Sequence, residues 1–211
     1  MSVKIYLFRH GETDWNKTRR LQGQSDIPLN GFGRELAEET ARAVREIPFE
    51  KAFCSPLRRA AETAEIILGT REIPLVRDKR LMEICFGDYE GSGFDAPKKD
   101  PAHPLYNFLC KPECYIPIAG MESIQDVMER GRMFLQEQIL PLEGVCENVL
   151  IVAHGALNRC ILSVLEDIPL QDFWKTGLPN CAASILSLEN GNFQVVEESR
   201  VYYENPVNVR P

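Results

Sequence analysis

Short apolar runs alternate along the chain with longer stretches of helical periodicity. The runs at residues 3–8 and 148–153 are almost entirely apolar, as expected for strands buried on both faces of a parallel sheet. Near the end of the chain, Asn190-Gly191 separates two strand-like segments, which is a strong hairpin signal. The predicted strands are residues 3–8, 51–55, 74–77, 148–153 and the two arms of this hairpin, within residues 183–199.

Amphipathic stretches between these runs predict helices at residues 32–46, 56–68, 121–138 and 156–165. Pro56 suits the first turn of the second of these helices. Because strands alternate with helices, we predict an α/β fold. It is expected to be a three-layer α/β/α sandwich with a mostly parallel central sheet and a C-terminal hairpin. The length of 211 residues suits a single domain, residues 1–211.

Residues 91–120 break this pattern, because they show no clear period and are too long for an ordinary connection. Long irregular segments in compact domains are usually lids or binding loops. We therefore predict that this segment, called the cap below, is an insertion that covers a binding site. Its prolines are Pro97, Pro101, Pro104, Pro112 and Pro117.

Charged and imidazole side chains follow three of the predicted strands. The first strand runs into Arg9-His10, the fourth runs into His154-Gly155, and the second ends shortly before Arg58. In open α/β sheets, ligands bind outside the carboxyl ends of the strands. We therefore expect these side chains to meet at one edge of the sheet.

These residue types suit phosphoryl transfer. Arginine offers a planar, permanently charged fork for phosphate oxygens, and a neutral imidazole can attack phosphorus and hold the group as phosphohistidine. Neighbouring arginines lower the pKa of a histidine and so keep it unprotonated. A second histidine, if charged, can stabilise the oxygens in the transition state. A carboxylic acid must then protonate the leaving alkoxide.

Charge and cysteine content narrow the partners. The chain has 24 Lys and Arg against 31 Asp and Glu, a net charge of −7, which argues against nucleic acid as the main partner. An arginine cluster can still make a positive pocket for a small phosphorylated metabolite. The odd count of seven cysteines favours a reduced, cytoplasmic setting. A homodimer is the default expectation for the oligomeric state.

Several other features are expected to be absent. The N-terminal residues predict a strand rather than a signal peptide, and no apolar run approaches the length needed to cross a membrane. Cys110 and Cys114 have no second pair at zinc-ligand spacing, so neither a metal nor a cofactor is expected. Cys54 is interpreted as a buried strand residue.

Four segments of the chain form one pattern: LFRHGETDWN (residues 7–16), SPLRRAAETA (55–64), LMEICFGDYEG (81–91) and VAHGA (152–156). Together they resemble the signatures of the histidine phosphatase superfamily, the phosphoglycerate-mutase-like group, and the resemblance spans nearly the whole chain. It implies that His10 is the nucleophile, that Arg9, Arg58 and His154 form the inner phosphate pocket, and that Glu83 is the proton donor. Arg59 is expected to be a surface residue.

The same resemblance implies a further set of pocket residues: Asn16, Gln22, Gly23, Ser55 and Gly155. Many relatives also read G-E-S where the cap closes. Here Met121 intervenes before Glu122 and Ser123, so the resemblance assigns these two residues no role.

Three functions are compatible with these residues. The first is metal-independent hydrolysis of a small phosphomonoester through phosphohistidine on His10. The second is a cofactor-primed phosphoglycerate mutase, and the third is a non-catalytic phosphate-binding regulatory module. The sequence C-F-G after Glu83 resembles the phosphatase branch, which includes alpha-ribazole and broad-specificity phosphatases, whereas mutases usually read H-Y-G there. Hydrolysis is therefore the leading expectation.

Overall fold

A six-stranded mixed sheet forms the centre of the computed structural model, which describes residues 2–204. The strand order is β3-β2-β4-β1-β5-β6; β1 to β4 are parallel, while β5 runs antiparallel to both β1 and β6. The predicted parallel sheet and C-terminal hairpin are confirmed. The strands are β1 (Val3–Arg9), β2 (Lys51–Cys54), β3 (Leu75–Arg77), β4 (Asn148–Ala153), β5 (Ala183–Glu189) and β6 (Asn192–Arg200).

All four predicted helices are present, with ends that differ by a few residues, and three short helices join them. Helices of four or five residues contain little more than one turn, so they leave no periodic signal in the sequence. In chain order the helices are α1 (Asp14–Lys17), α2 (Gly31–Ala43), α3 (Arg58–Leu68), α4 (Asp95–Lys99), α5 (Tyr106–Cys110), α6 (Ile124–Phe134) and α7 (Gly155–Leu165).

Hydrophobic cores on both faces of the sheet create the predicted three layers. In β4, Val149 and Ile151 pack on one side in the core that includes α6 and α7. Leu150 and Val152 point to the other side, where α3 supplies Ala60, Ala64 and other apolar residues. Successive strand residues face opposite ways, so a fully apolar strand such as β4 belongs between two helical layers.

The register between β1 and β4 places the carboxyl ends of the two strands side by side, although they are far apart in the sequence. Arg9, the last residue of β1, pairs with Ala153, the last residue of β4. The N–H of His10 then donates to the carbonyl of Ala153 at 3.0 Å. His10 and His154 therefore leave the sheet side by side.

The cap lies against the loop that follows β1. Backbone hydrogen bonds join Leu21 to Ser92 (2.9 Å) and Phe94 to Arg19 (3.0 Å). α4 and α5 both lie within the cap, and the buried Phe108 of α5 anchors it in the core. Within residues 2–204, no helix combines the length and apolar character needed to cross a membrane.

Candidate active site

His10 is buried at the carboxyl end of β1, and its tautomer is defined by one hydrogen bond. The Nδ1 atom lies 2.7 Å from the carbonyl oxygen of Gly11. A carbonyl only accepts, so Nδ1 must carry the proton and Nε2 keeps its lone pair. Burial, followed by the guanidinium groups of Arg59 and Arg9, holds the pKa of His10 well below its usual range. The imidazole is therefore neutral, and its Nε2 lone pair is free to react.

The backbone around His10 is held from two directions. The side-chain amide of Asn180 donates to the carbonyls of His10 (2.9 Å) and Gly11 (3.2 Å). The N–H of Gly11 donates to the hydroxyl of Thr63 at 3.0 Å. A Cβ on Gly11 would lie 2.6 Å from the carbonyl oxygen of Gly33, so only glycine allows this approach.

His154 lies next to His10, with 5.2 Å between the ring centroids. It is completely buried, and neither ring nitrogen has a hydrogen-bond partner within residues 2–204. Burial and the nearby Arg59 guanidinium hold the pKa of His154 well below its usual range. In the free protein His154 is neutral and offers one N–H donor and one lone pair.

Two arginines lie beside this histidine pair. Arg9 donates from Nη1 to the carbonyl of Leu178. Arg59 donates from Nη1 to the carbonyl of Ser25 and from Nη2 to that of Gly23, both at 2.7 Å. The Nε atoms of both arginines are buried without a partner within the described residues. Burial lowers the pKa of Arg9 and lowers that of Arg59 to about 10, so Arg59 stays charged at neutral pH.

The second pocket arginine is Arg59, and the expectation that it is Arg58 is wrong. Arg58 is exposed, whereas Arg59 is completely buried and lines the cavity. α3 begins at Arg58 rather than at Pro56, and its buried face contains Arg59, Thr63 and Ile67. These positions are four residues apart, so they share one side of the helix. Following the buried face back from Ile67 through Thr63, one turn at a time, would have selected Arg59.

Glu83 reaches the same place from the loop after β3. Its Oε2 accepts from the N–H of Ala156, and its Oε1 accepts from the N–H groups of Leu157 and Ile84, all at 3.0 Å. The first N–H groups of a helix have no partner within the helix and favour negative charge. α7 therefore holds the Glu83 carboxylate next to His154, the residue that precedes this helix.

A partly buried ion pair supports the loop that carries Glu83. Arg130 of α6 donates to the carbonyls of Arg80 (2.7 Å), Met82 (2.5 Å) and Glu83 (3.1 Å). Its Nε donates to Glu122 Oε1 at 3.0 Å, and Glu122 Oε2 accepts from the N–H of Cys85 at 2.9 Å. Glu122 is thus bonded to this loop despite the insertion of Met121. Ser123 is the N-cap of α6 and forms a capping box with Asp126.

These side chains surround a cavity of about 720 Å³ between the sheet edge and the cap. Of the further pocket residues expected from the sequence, the ones that line this cavity are Asn16, Gln22, Gly23 and Gly155. The Oδ1 of Asn16 also accepts from the backbone and hydroxyl of Thr13, so the side chain caps α1. Arg9, His10, Arg59 and Glu83 line the same cavity, while His154 has no exposed surface.

Ser55 does not belong to the cavity, contrary to the sequence expectation. It is completely buried, and its hydroxyl accepts from the N–H of Leu57 at 3.3 Å. This bond fixes the turn between β2 and α3, so Ser55 has a structural role. A side chain also fixes the loop that contains Gln24 and Ser25. Glu90 accepts from the N–H groups of Gln24 (2.8 Å) and Ser25 (2.7 Å).

Sequence reasoning missed Arg130, Asn180 and Glu90, which hold the site without carrying its chemistry. Arg130 lies among other charged residues of α6, such as Asp126 and Glu129, and had no sequence signal of its own. Asn180 follows Pro179 in the turn before β5, where an asparagine is ordinary. Among residues 2–204, no group of three or more His, Cys, Asp and Glu side chains is placed to hold a metal ion.

Comparison with known proteins places this geometry in a family. The profile of the histidine phosphatase superfamily (branch 1) matches residues 5–200. A Bacillus subtilis protein named as the uncharacterized phosphatase PhoE is 34% identical over 164 residues, 77% of each chain. An Escherichia coli protein named as a probable phosphoglycerate mutase, GpmB, is 32% identical over 186 residues, 86% of this chain and 83% of that relative.

Solved structures agree with the sequence relatives. The structure of Bacillus stearothermophilus YhfR superposes with a TM-score of 0.87 at 34% identity and covers 94% of this chain and 98% of its own. The relatives thus include proteins named as phosphatases and as phosphoglycerate mutases. With the paired histidines, the arginines and the cap in place, the chain belongs to branch 1 of the histidine phosphatase superfamily.

Proposed function

We propose that the chain hydrolyses small phosphomonoesters through a phosphohistidine formed on His10. One observation carries this proposal: His10 presents a lone pair on Nε2, while Arg9, Arg59 and His154 beside it hold buried nitrogens without partners. Buried polar groups normally have partners, so these nitrogens are suited to bind a ligand that offers acceptor oxygens. A phosphoryl group supplies acceptor oxygens for them and a phosphorus atom for the nucleophile.

The first step transfers the phosphoryl group to the protein. Nε2 of His10 forms a bond to phosphorus while the bond from phosphorus to the ester oxygen breaks. The arginine forks neutralise the phosphoryl oxygens, and a neutral His154 donates its N–H to them. Glu83 in its protonated form gives the proton that the leaving oxygen requires.

The second step returns the protein to its starting state. Water attacks phosphorus, the bond to Nε2 breaks, and inorganic phosphate leaves. Glu83, now ionised, accepts the proton of the attacking water and so becomes the acid for the next cycle. No atom in either step requires a metal ion, so activity is expected to persist in EDTA.

The mutase is the closest rival, since relatives with that name are similar to this chain. A mutase must keep water away from the phosphohistidine and return the phosphoryl group to a bound product. The segment after Glu83 reads Cys85-Phe86-Gly87, which resembles the phosphatase branch and favours hydrolysis. The binding-module alternative is disfavoured, because nucleophile, arginines and acid line one cavity.

The partner and setting are part of the proposal. A cavity of this size on a protein of net charge −7 supports a small phosphorylated metabolite rather than nucleic acid or a membrane surface. Seven free thiols support a reducing, cytoplasmic location. A homodimer stays the default expectation for the oligomeric state.

The E83Q variant tests the mechanism through its leaving-group dependence. Glutamine cannot donate a proton as a carboxylic acid does, and general acid catalysis is worth roughly 10²- to 10⁴-fold. E83Q should therefore slow hydrolysis of glycerol 3-phosphate by about that factor, and slow 4-nitrophenyl phosphate much less. The matched control is E12Q, because Glu12 is a second carboxylate lining the cavity and bonds Asn30 instead.

Equal slowing of both substrates by E83Q would place the acid elsewhere. The same assays include 3-phosphoglycerate, for which hydrolysis predicts glycerate and inorganic phosphate. Formation of 2-phosphoglycerate without phosphate release would establish the mutase instead. Loss of activity in EDTA with recovery on adding a divalent metal would contradict the metal-independent scheme.

A further inference from the structure

The cavity contains more positive charge than one phosphoryl group requires. Seven cationic side chains line it, against the carboxylates of Glu12 and Glu83 among the described residues. The whole chain, in contrast, has a net charge of −7. A local excess of this kind on an acidic protein concentrates positive potential inside a low-dielectric cleft. The cavity is therefore built for anionic ligands beyond its immediate catalytic centre.

Four of the seven cations already have a use. Arg9 and Arg59 lie next to His10 and match the roughly two negative charges of a phosphomonoester. Arg19 pairs with Asp95 at 3.2 Å, and Arg159 pairs with Glu198 at 2.9 Å. These four therefore leave no charge free for another group on the substrate.

The other three, Lys17, Arg20 and Lys98, are called the rim cations below. Within residues 2–204 none of them forms an ion pair with a carboxylate. All three are exposed on the outside yet line the cavity that holds His10. Solvated lysines are common on surfaces, but these three unpaired cations all line the cavity that contains His10.

Two separate segments supply the rim cations. Lys17 ends α1 and Arg20 lies in the loop that follows, whereas Lys98 belongs to α4 of the cap. Arg20 forms an isolated antiparallel bridge with Gly93, and the carbonyl of Arg19 accepts from the N–H of Phe94. The backbone thus holds the loop and the cap against each other, and cations from both segments line the same cavity.

We propose that the substrate carries a second anionic group, a carboxylate or a second phosphate, which the rim cations bind while the reacting phosphoryl group lies at His10. This proposal rests on the function proposed above and names its substrate class. A second anion on the substrate neutralises charge that would otherwise repel within the cavity. The rim cations act on binding rather than on the chemical step, so they should influence KM more than kcat.

Two substrate pairs test this proposal, each differing in one anionic group. The carboxylate pair is 3-phosphoglycerate and glycerol 3-phosphate, and the phosphate pair is fructose 1,6-bisphosphate and fructose 6-phosphate. In at least one pair the doubly anionic member should have a kcat/KM about tenfold higher or more, as expected for partly screened contacts with several cations. Whichever pair shows the preference identifies the second group.

The triple variant K17Q/R20Q/K98Q assigns the preference to the rim cations. It should lower kcat/KM for the preferred doubly anionic substrate about tenfold more than for its partner, mainly through KM. The matched control is K79Q/K99Q/K111Q, which removes three exposed lysines that do not line the cavity. This control should preserve the preference.

The outcomes separate this inference from the function on which it rests. If wild-type protein hydrolyses all four substrates without a preference, the second-anion site is wrong and hydrolysis stands. A preference that survives the K17Q/R20Q/K98Q substitutions equally overturns the site. If the protein hydrolyses neither these compounds nor 4-nitrophenyl phosphate, the proposed function itself fails.

Discussion

At the scale of single residues, the loop that carries Glu83, the proposed proton donor, is held by the charged pair of Glu122 and Arg130. Glu122 and Arg130 bond the backbone on both sides of Glu83, while the first turn of α7 holds its carboxylate. A carboxylate that must reach a leaving oxygen needs a fixed position, since small displacements cost rate. We therefore expect Glu122 to act as a positioning residue through Glu83.

The E122Q variant should slow hydrolysis of alkyl phosphates more than that of aryl phosphates, as expected for E83Q, but by a smaller factor. The glutamine side chain still has an oxygen that can accept from the N–H of Cys85. It lacks the negative charge that pairs with Arg130. We expect a fall of roughly tenfold in kcat/KM for an alkyl phosphate and a smaller fall for an aryl phosphate, typical of a weakened charged hydrogen bond. E129Q is the control, because Glu129 of the same helix pairs with Arg132 on the exposed surface.

A structural role without positioning would give a different result. In that case E122Q would lower the melting temperature and slow aryl and alkyl phosphates by the same factor. Steady-state assays with both substrates, together with thermal denaturation, distinguish the two roles.

At the scale of elements, the rotation of α3 decides which arginine serves the site. Arg59 shares the buried face with Thr63, which bonds Gly11, while Arg58 faces solvent. A helix advances by about 100° per residue, so adjacent residues cannot share a narrow face. A step of one residue along α3 thus separates an arginine that lines the cavity from one on the surface.

The neighbouring variants R59K and R58K test this assignment. Lysine keeps the charge but cannot bond two carbonyls and a phosphoryl oxygen together. R59K should lower kcat/KM for 4-nitrophenyl phosphate about 10²-fold, as expected for losing one or two charge-assisted hydrogen bonds. For R58K, kcat/KM should stay within about twofold of the wild-type value, as is usual for a substitution at an exposed site. The reverse pattern would restore Arg58 as the pocket residue.

The elements also show how far pattern alone predicts this fold. β4 and the hairpin at Asn190-Gly191 were predictable, because burial on two faces and a two-residue turn each leave a local signal. No such local signal marks the short helices α1, α4 and α5. They are stabilised by caps and by packing with distant residues. The start of α3 was misplaced because Pro56 is equally suited to the turn before a helix.

At the scale of the whole molecule, the sheet order assembles the site from four distant segments. β1 and β4 lie next to each other although about 140 residues separate His10 from His154, and β2 lies on the far side of β4. The strand ends predicted that these residues share an edge. The hydrogen bonds that orient them, such as those of Asn180 and Arg130, depend on tertiary packing and were not predictable.

Direct detection of phosphohistidine tests the central claim most directly. Wild-type protein mixed with 4-nitrophenyl phosphate is quenched in alkali, since phosphohistidine is acid-labile, and digested with trypsin for mass spectrometry. Cleavage after Arg9 and Lys17 isolates residues 10–17, which contain a single histidine. We predict one added phosphoryl group on this peptide, retained in H103A and lost in H10A together with turnover. An H10A variant that still turns over the substrate, or a label on another peptide, would contradict the account.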